Sequence, residues 1–344
     1  MSAESITRVI LNNYVPDGTP NPSDFRIETV PAPTADMLRD SELLVRPLYL
    51  SCDPYMRNRI NGRDGYYIDG LKAAAPIAGL GLGVVEASTS SGFAPGDFVT
   101  GGFFDWAQKA IVPAAGFSKV SETDRVSLVD YVGVLGMPSF TAYIGLVTLG
   151  KPKKGETLLV SSAAGAVGQM VVQLAKIRGL RVVGVAGSDE KVEFVKSLGA
   201  DAAFNYKTCG DFEQAIRQAA PEGVDIYFDN VGGEFLDAAL MNMRPYGRIT
   251  ACGQASQYNV TANETYRMDN FLQVINRKLN ITGYVITDHY PTPSFAEFLA
   301  EVSDLHSGGK LTYKVDEVIG LENGPTALID VFVGNNFGKR VIRV

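Results

Sequence analysis

Residues 156–168 combine a short apolar segment with a run of small residues, an arrangement that can bind an anion. The segment reads Glu-Thr-Leu-Leu-Val-Ser-Ser-Ala-Ala-Gly-Ala-Val-Gly, and a helical pattern follows over residues 169–176. Gly165 would let the backbone approach a pyrophosphate closely, and Gly168 would let the helix pack tightly on the strand. The helix N-terminus offers unpaired N–H groups to the anion. A dinucleotide is therefore predicted to contact Gly165, Ala166, Val167 and Gly168. Ala163 replaces the first glycine of the usual pattern, so an ordinary strand–helix turn is the alternative on these residues alone.

A second predicted strand, residues 181–187, ends without the acidic residue that grips the ribose hydroxyls in NAD-binding units. Ser188 follows it, and Lys191 comes three positions later. A carboxylate at the strand end would repel a 2′-phosphate, whereas a serine hydroxyl and a nearby lysine would accept one. The pattern predicts NADP(H) rather than NAD, bound by Ser188 and Lys191. For Lys191, a solvated lysine in the first turn of a helix is the alternative.

The composition is that of a globular protein with a sizeable core. The 344 residues suit two domains, and the 46% hydrophobic and 20% charged fractions are ordinary. A net charge of −7 argues against nucleic acid or an anionic membrane as the main partner. No apolar run approaches the roughly 18 residues that span a bilayer. Residues 1–8 lack the apolar segment of a secretion signal.

The elements that must position these residues fall into two patterns. Residues 1–125 contain short β-like runs punctuated by Gly and Pro, as in a small barrel-like domain. Residues 126–300 alternate strands and helices, which predicts a doubly wound α/β domain with a parallel sheet. Strand-like character returns in residues 301–344, and we expect this tail to rejoin the first domain. A site between the two domains is expected.

Several motifs in the same order along the chain resemble the medium-chain dehydrogenase/reductase superfamily. They are Gly96-Asp97-Phe-Val, the Ala-Ala-Gly-Ala-Val-Gly turn and Gly338-Lys339. Five further segments resemble the zinc-independent alkenal double-bond reductases and prostaglandin reductases: residues 53–57, 187–191, 204–207, 252–259 and 336–339. The resemblance implies a GroES-like β-rich domain formed by residues 1–125 plus 301–344, a Rossmann domain over residues 126–300, and a homodimer paired through residues 281–286.

The resemblance also implies further contacts with NADP(H). Tyr206 would contact the phosphate or ribose end, Asn230 would lie at the carboxyl edge of the sheet, and Asn336 would reach the cofactor from the tail. The other implied contacts are Cys252, Gly253, Ser256, Tyr258, Tyr284, Val285 and Ile286. A surface aromatic residue is the alternative for Tyr206, and a turn-forming asparagine is the alternative for Asn230 and Asn336.

Tyr55 is the best candidate in the first domain for contact with a substrate carbonyl, because a phenol can donate a hydrogen bond to an oxygen that gains charge. In the alternative, residues 53–54 form a turn and Tyr55 merely packs. Thr287 stands where the related reductases often carry a tyrosine, so Thr287, Tyr290 or water remain open as the proton source. The Gly-flanked aromatic segment 62–67 is either a mobile lid or an exposed loop.

The chain offers no plausible set of zinc ligands. A catalytic zinc needs Cys and His ligands, and a structural zinc needs a cluster of cysteines. The three cysteines are scattered, and the two histidines both come late in the chain. We predict no metal. The odd cysteine number predicts reduced thiols in a cytoplasmic protein.

These features together predict an NADPH-dependent reductase of carbon–carbon double bonds conjugated to a carbonyl, acting on a small enal or enone. Hydride would pass to the β-carbon of the substrate, and the charge that develops on the carbonyl oxygen would be stabilised by hydrogen bonds. Two alternatives remain open at this point. One is an NADPH quinone reductase of the same superfamily, and the other is an NADPH-binding partner protein without catalysis.

Overall fold

The computed structural model describes residues 4–344. Residues 1–3, part of the segment assessed above for a secretion signal, lie outside the described residues. The strands are β1 (Ser5–Leu11), β2 (Phe25–Pro31), β3 (Glu42–Ser51), β4 (Ala78–Ser88), β5 (Phe98–Asp105), β6 (Ala110–Pro113), β7 (Ser118–Val120), β8 (Thr157–Val160), β9 (Arg181–Ala186), β10 (Ala202–Asn205), β11 (Val224–Asp229), β12 (Met243–Ala251), β13 (Asn280–Gly283), β14 (Val315–Ile319) and β15 (Lys339–Arg343). The helices are α1 (Met56–Arg59), α2 (Met137–Tyr143), α3 (Gly168–Ile177), α4 (Asp189–Ser197), α5 (Phe212–Ala219), α6 (Gly233–Leu240), α7 (Leu272–Asn276), α8 (Pro293–Ser307) and α9 (Gly324–Val333).

The described chain divides into two compact units. One runs up to Gly136 and resumes at Val315–Val344, and the other is Met137–Lys314. The sequence pattern predicts boundaries at residues 125 and 300, whereas the compact units change at Gly136 and at Val315. The assignment of substrate chemistry to one unit and cofactor binding to the other stays a prediction.

The first unit is built mainly of β-strands. Its seven-stranded sheet has the order β14-β15-β3-β4-β5-β7, with β6 paired to β3, and β1 and β2 form a separate antiparallel pair. The core beneath the sheet contains the fully buried side chains of Leu43, Phe104 and Trp106. In the tail, β15 runs antiparallel to β3, with Val341 opposite Ser51. The last strand of the chain therefore lies beside the segment that leads to Tyr55.

The second unit contains a six-stranded sheet with the order β10-β9-β8-β11-β12-β13, in which every neighbouring pair is parallel. The strands at its centre are apolar and buried, as Leu158, Leu159 and Val160 of β8 illustrate. This burial on both faces is typical of parallel sheets with helical crossovers. The strand order reverses direction between β8 and β11, which is the place where such sheets bind ligands.

Two segments differ from the sequence expectation. The sequence pattern of residues 280–286 predicts one continuous strand, but β13 ends at Gly283, and a 3₁₀ turn begins at Ile286. Residues 301–344 are not uniformly strand-like, because α8 extends to Ser307 and α9 precedes β15. Phe298 and Val302, four positions apart on α8, are both fully buried, so this helix packs one apolar face inward. Across the described part of the chain, no helix combines the length and the apolar character that crossing a bilayer requires.

Candidate functional site

The predicted cofactor residues of the second unit gather at one edge of its sheet. Because all six strands run parallel, their carboxyl ends share that edge. The glycine turn follows β8, Ser188 follows β9, and Tyr206 follows β10. The loops after β11, β12 and β13 contribute the other predicted residues: Asn230, Cys252, Gly253, Ser256, Tyr258, Tyr284, Val285 and Ile286. Their contact with a cofactor stays a prediction.

The turn between β8 and α3 has room only for a glycine at position 168. A Cβ atom there would lie 2.7 Å from the Cα of Ala163, which is too close for any side chain. Ser162 has a φ of 51°, a left-handed conformation that is uncommon for a residue other than glycine. The turn is anchored to the next strand by Ala163, whose N–H donates to the carbonyl of Val185 at 2.8 Å. The start of α3 is thereby held directly beside the end of β8.

Asn230 ties the end of β11 to the end of β8. Its Nδ2 donates to the carbonyl oxygen of Ser161 at 2.7 Å, and its main-chain N–H donates to Ser161 Oγ at 3.0 Å. The buried Tyr227 hydroxyl lies 2.6 Å from a carboxylate oxygen of Asp229. Burial raises the pKa of Asp229 above its ordinary value. Asn230 therefore shapes the strand ends through its amide nitrogen and retains its amide oxygen for another partner.

The end of β9 carries the groups expected at a 2′-phosphate. Ser188 caps α4, because its Oγ accepts the main-chain N–H of Lys191 at 3.3 Å, and its own O–H remains able to donate. The Asp189 carboxylate accepts a 2.9 Å hydrogen bond from Nδ2 of Asn205. Asn205 Oδ1 in turn accepts the main-chain N–H of Lys207 at 3.0 Å. The amide of Asn205, which the sequence analysis did not single out, thus engages the acidic residue nearest the strand end.

The loop after β12 packs against the loop after β11. Cys252 and Gly253 both donate main-chain N–H groups to the carbonyl of Asp229, at 2.8 and 3.1 Å. Ser256 Oγ donates to the carbonyl of Val231 at 2.8 Å, and Tyr258 Oη accepts the N–H of Gln254 at 3.2 Å. These hydrogen bonds hold the loop after β12, with its predicted residues, against the end of β11.

Tyr284 contributes to this edge of the sheet through a buried side chain. Its hydroxyl donates to the carbonyl of Thr141 at 2.7 Å and lies within hydrogen-bonding reach of the Cys252 thiol. Burial raises the pKa of Cys252 to about 12, so the thiol is protonated at neutral pH. The Tyr284 side chain is therefore engaged inside the unit, and the main chain of residues 284–286 is what remains for a ligand.

The edge of this sheet fits NADP(H). A glycine turn without room for a side chain stands at the start of a ten-residue helix, as a pyrophosphate site requires. A hydroxyl and a lysine follow β9, and the Asp189 carboxylate there is already hydrogen-bonded by an amide.

In the first unit, Asn336 bends back, and its Nδ2 donates to the Gly338 carbonyl at 2.8 Å. That bond suits a turn-forming role and leaves the amide oxygen of Asn336 available.

Tyr55 presents a buried hydroxyl without a partner. The residue is half-buried, but its Oη is enclosed and makes no hydrogen bond of normal geometry within residues 4–344. Leaving a buried hydroxyl unsatisfied costs about 1–3 kcal/mol, so such groups call for a functional explanation. Burial, and secondarily the Asp53 carboxylate, raise the pKa of Tyr55 well above its ordinary value. The phenol is thus a protonated donor.

The other candidate groups are more exposed. Thr287 is exposed in the turn after β13, and its carbonyl accepts the N–H of Tyr290 at 3.2 Å. The Tyr290 ring packs against Phe140 and Phe295 with centroid distances of 4.8 and 4.7 Å. In the segment 62–67, Tyr66 and Tyr67 are 40% and 57% exposed. Their exposure is compatible with either a lid or a plain loop.

Sequence reasoning missed an ion pair beside Tyr55. Lys339 Nζ lies 2.7 Å from Oδ1 of Asp53, and both side chains are almost completely buried. Asp53 and Lys339 were quoted as parts of motifs, but nothing in the sequence alone pairs residues so far apart. For metals, the described residues contain no group of three or more His, Cys, Asp or Glu side chains arranged to hold an ion.

Fold and site together define a two-unit oxidoreductase with a dinucleotide-binding sheet. Residues 166–304 match the family model described as "Zinc-binding dehydrogenase", and residues 8–120 match "N-terminal domain of oxidoreductase". The chain is 43% identical to a 2-alkenal reductase (NADP(+)-dependent) of Nicotiana tabacum, covering 98% of this chain and 97% of that protein. It is 40% identical to (+)-pulegone reductase of Mentha piperita, covering 98% of each.

A solved structure has the same architecture. CurA from Vibrio vulnificus in complex with NADPH superposes with a TM-score of 0.91 at 35% identity, over 98% of this chain and 99% of that one. The chain belongs to the medium-chain dehydrogenase/reductase superfamily, in its alkenal reductase group. The family and the α/β fold predicted from the sequence, a GroES-like domain with a Rossmann domain, are confirmed.

Proposed function

We propose that this protein reduces the carbon–carbon double bond of α,β-unsaturated aldehydes and ketones, with NADPH as the reductant. The relatives named above confirm the predicted class, an NADP-dependent oxidoreductase, and the predicted cofactor NADP(H). The observation that carries the proposed chemistry is the buried, unpartnered hydroxyl of Tyr55. A carbonyl oxygen of the substrate is the acceptor that this donor lacks.

The proposed cofactor residues each have a role set by their chemistry. The glycine turn at residues 165–168 would hold the pyrophosphate, and Ser188 with Lys191 would hold the 2′-phosphate. Tyr206 would cover the adenosine end, and the main chain of residues 284–286 would flank the nicotinamide amide. The remaining proposed contacts are Asn230, Cys252, Gly253, Ser256, Tyr258 and Asn336. Bound in this way, NADPH supplies a hydride to the β-carbon of the substrate.

Tyr55 would stabilise the negative charge that develops on the carbonyl oxygen as the β-carbon is reduced. A donor that is already in place costs no reorganisation during the reaction, and it interacts more strongly with the enolate than with the neutral carbonyl. Its raised pKa supports this role, because the phenol stays protonated and donates without losing its proton. The proton that reaches the α-carbon would come from water or from a nearby hydroxyl such as that of Thr287.

The reaction is tested with deuterium-labelled NADPH and 2-hexenal. We expect NADPH oxidation at 340 nm and hexanal as the product, with the label on the β-carbon by mass spectrometry. An allylic alcohol with the label on the former carbonyl carbon would identify a carbonyl reductase instead. Faster turnover of a simple quinone than of any enal or enone would point to a quinone reductase. The absence of NADPH consumption with enals, enones and quinones alike would contradict the proposal.

The proposal includes a homodimer and a cytoplasmic location. Support for the dimer comes from β13, which ends the six-stranded sheet, and from apolar side chains near it. Phe271, Leu272 and Ile275 are 56%, 62% and 71% exposed, and Ile281 on β13 is 37% exposed. Exposed apolar side chains and an unpaired strand edge are both typical of protein interfaces. The three free cysteines support a reducing compartment.

A further inference from the structure

The buried ion pair of Asp53 and Lys339 is unused by the chemistry proposed above. Nζ of Lys339 lies 2.7 Å from Oδ1 of Asp53 and donates to the carbonyl of Cys52 at 2.9 Å. The two side chains are 1% and 4% exposed. The second carboxylate oxygen of Asp53 accepts a hydrogen bond from the Ser51 hydroxyl. Each charged group is therefore satisfied by protein atoms.

Burying an ion pair costs desolvation free energy, so the pair is weak evidence of a stabilising role. Removing two charges from water costs about as much as their attraction returns, and apolar residues of similar size often stabilise a protein equally well. Asp53 and Lys339 belong to segments at opposite ends of the chain, joined where β15 runs antiparallel to β3. The pair extends this contact past the end of β3, toward Tyr55. Its location suggests a role in placing that residue.

The backbone on both sides of Tyr55 is held by hydrogen bonds, whereas its hydroxyl is not. On one side, the main-chain carbonyl of Asp53 accepts the N–H of Met56 at 3.1 Å and closes the turn around Tyr55. On the other side, the buried guanidinium of Arg57 donates to the carbonyls of Val15 and Gly18, both at 2.8 Å. Tyr55 Oη is enclosed, and none of the described residues makes a hydrogen bond of normal geometry with it.

We propose that Asp53 and Lys339 are positioning residues, which fix the turn that aims the Tyr55 hydroxyl at the substrate carbonyl. This inference rests on the role proposed for Tyr55. Neither residue touches the reacting atoms, and both act through Tyr55. The ammonium group of Lys339 also neutralises the Asp53 carboxylate. The charge that develops on the substrate oxygen therefore does not face an uncompensated negative group. A rigid support of this kind is what a preorganised donor requires.

The test is the double variant Asp53→Asn/Lys339→Met, made both in the wild-type protein and in the Tyr55→Phe background. In the wild-type protein we expect kcat for an enone to fall by about tenfold or more, since small displacements of a catalytic group cost this much. NADPH affinity, measured by cofactor fluorescence, should stay within about threefold. The melting temperature should change little, because both charges are removed together. In the Tyr55→Phe background the same double change should lower kcat by less than about twofold, because the group it positions is already absent.

The matched control is Arg343→Met/Glu317→Gln, which removes a more exposed ion pair between β15 and β14 and should leave kcat unchanged. If the test variant does not fold, Ser51→Ala loosens the Asp53 carboxylate alone. It should lower kcat by a smaller factor, again only when Tyr55 is present. Wild-type kcat in the folded test variant would overturn the inference, as would an equal loss in both backgrounds. If Tyr55→Phe by itself leaves kcat unchanged, the role proposed for Tyr55 fails first.

Discussion

The ring of Tyr206 lies against the backbone of Gly187. A Cβ atom built on Gly187 would be 2.9 Å from Cε1 of Tyr206, so any side chain at position 187 would push the ring away. The Tyr206 ring can therefore occupy this position only because residue 187 is a glycine. Since Ser188 is the next residue, the aromatic ring borders the place proposed for the 2′-phosphate.

Replacing Lys191 by Ala should weaken the use of NADPH by about 10- to 100-fold, because a charge-assisted hydrogen bond contributes roughly 1.5–3 kcal/mol. The use of NADH, which lacks the 2′-phosphate, should hardly change. The measurement is kcat/KM for each cofactor at a fixed enone concentration. Lys196→Ala, on the same helix α4, is the control. A wild-type protein that prefers NADH would contradict the prediction.

Extensive treatment with EDTA should leave activity intact. The family model that matches residues 166–304 is described as zinc-binding, but the described residues supply no cluster of three potential ligands. Cys52 is buried, which raises the pKa of its thiol to about 12 and disfavours the thiolate that zinc requires. Activity after metal removal and dialysis is the readout. A loss that added zinc reverses would show that the protein requires a metal.

The protein should be a dimer at micromolar concentration. Ile275, which is 71% exposed on α7, would be buried in the proposed interface. Ile275→Glu should therefore shift the light-scattering mass toward that of a monomer, because an unpaired charge would be buried there. Ile319→Glu, at a similarly exposed position on β14, is the control and should leave the mass unchanged. A monomeric wild-type protein would count against this interface.

Tyr55→Phe should lower enone turnover by about 10²-fold, the low end of the range for losing one preorganised donor. The ring is retained, and the hydroxyl that is lost has no partner in the described residues. Folding stability and NADPH affinity should therefore be preserved. The measurements are kcat for an enone, the melting temperature and cofactor binding.

Thr287→Val should have a smaller effect on the same turnover, within about tenfold of the wild type, since the donor at Tyr55 supplies the main electrostatic term. Thr287 is exposed, and water can take over its hydroxyl's role. The order of the two effects is informative. If Thr287→Val abolishes turnover and Tyr55→Phe does not, the roles are inverted. If neither variant matters, water or another residue supplies the proton and the hydrogen bond.

Local pattern was sufficient for the first strand–turn–helix of the second unit. The apolar segment ending at Val160, the small residues after it and the amphipathic helix beyond Gly168 predict a strand–turn–helix, and the structure has one. The same reasoning predicts a strand over residues 181–187, close to β9. Parallel strands bring their carboxyl ends to one edge. The sequence order of the candidate residues thus determined which of them would gather there.

Local pattern was insufficient where partners come from distant segments. Lys339 and Asp53 meet only because β15 pairs with β3, and Asn205 engages Asp189 only because β10 pairs with β9. Register between strands depends on the packing of the whole sheet, so neither contact follows from spacing along the chain. The unsatisfied hydroxyl of Tyr55 has the same origin. Whether a hydroxyl finds a hydrogen-bond partner depends on all the groups around it, and those groups come together only when the chain has folded.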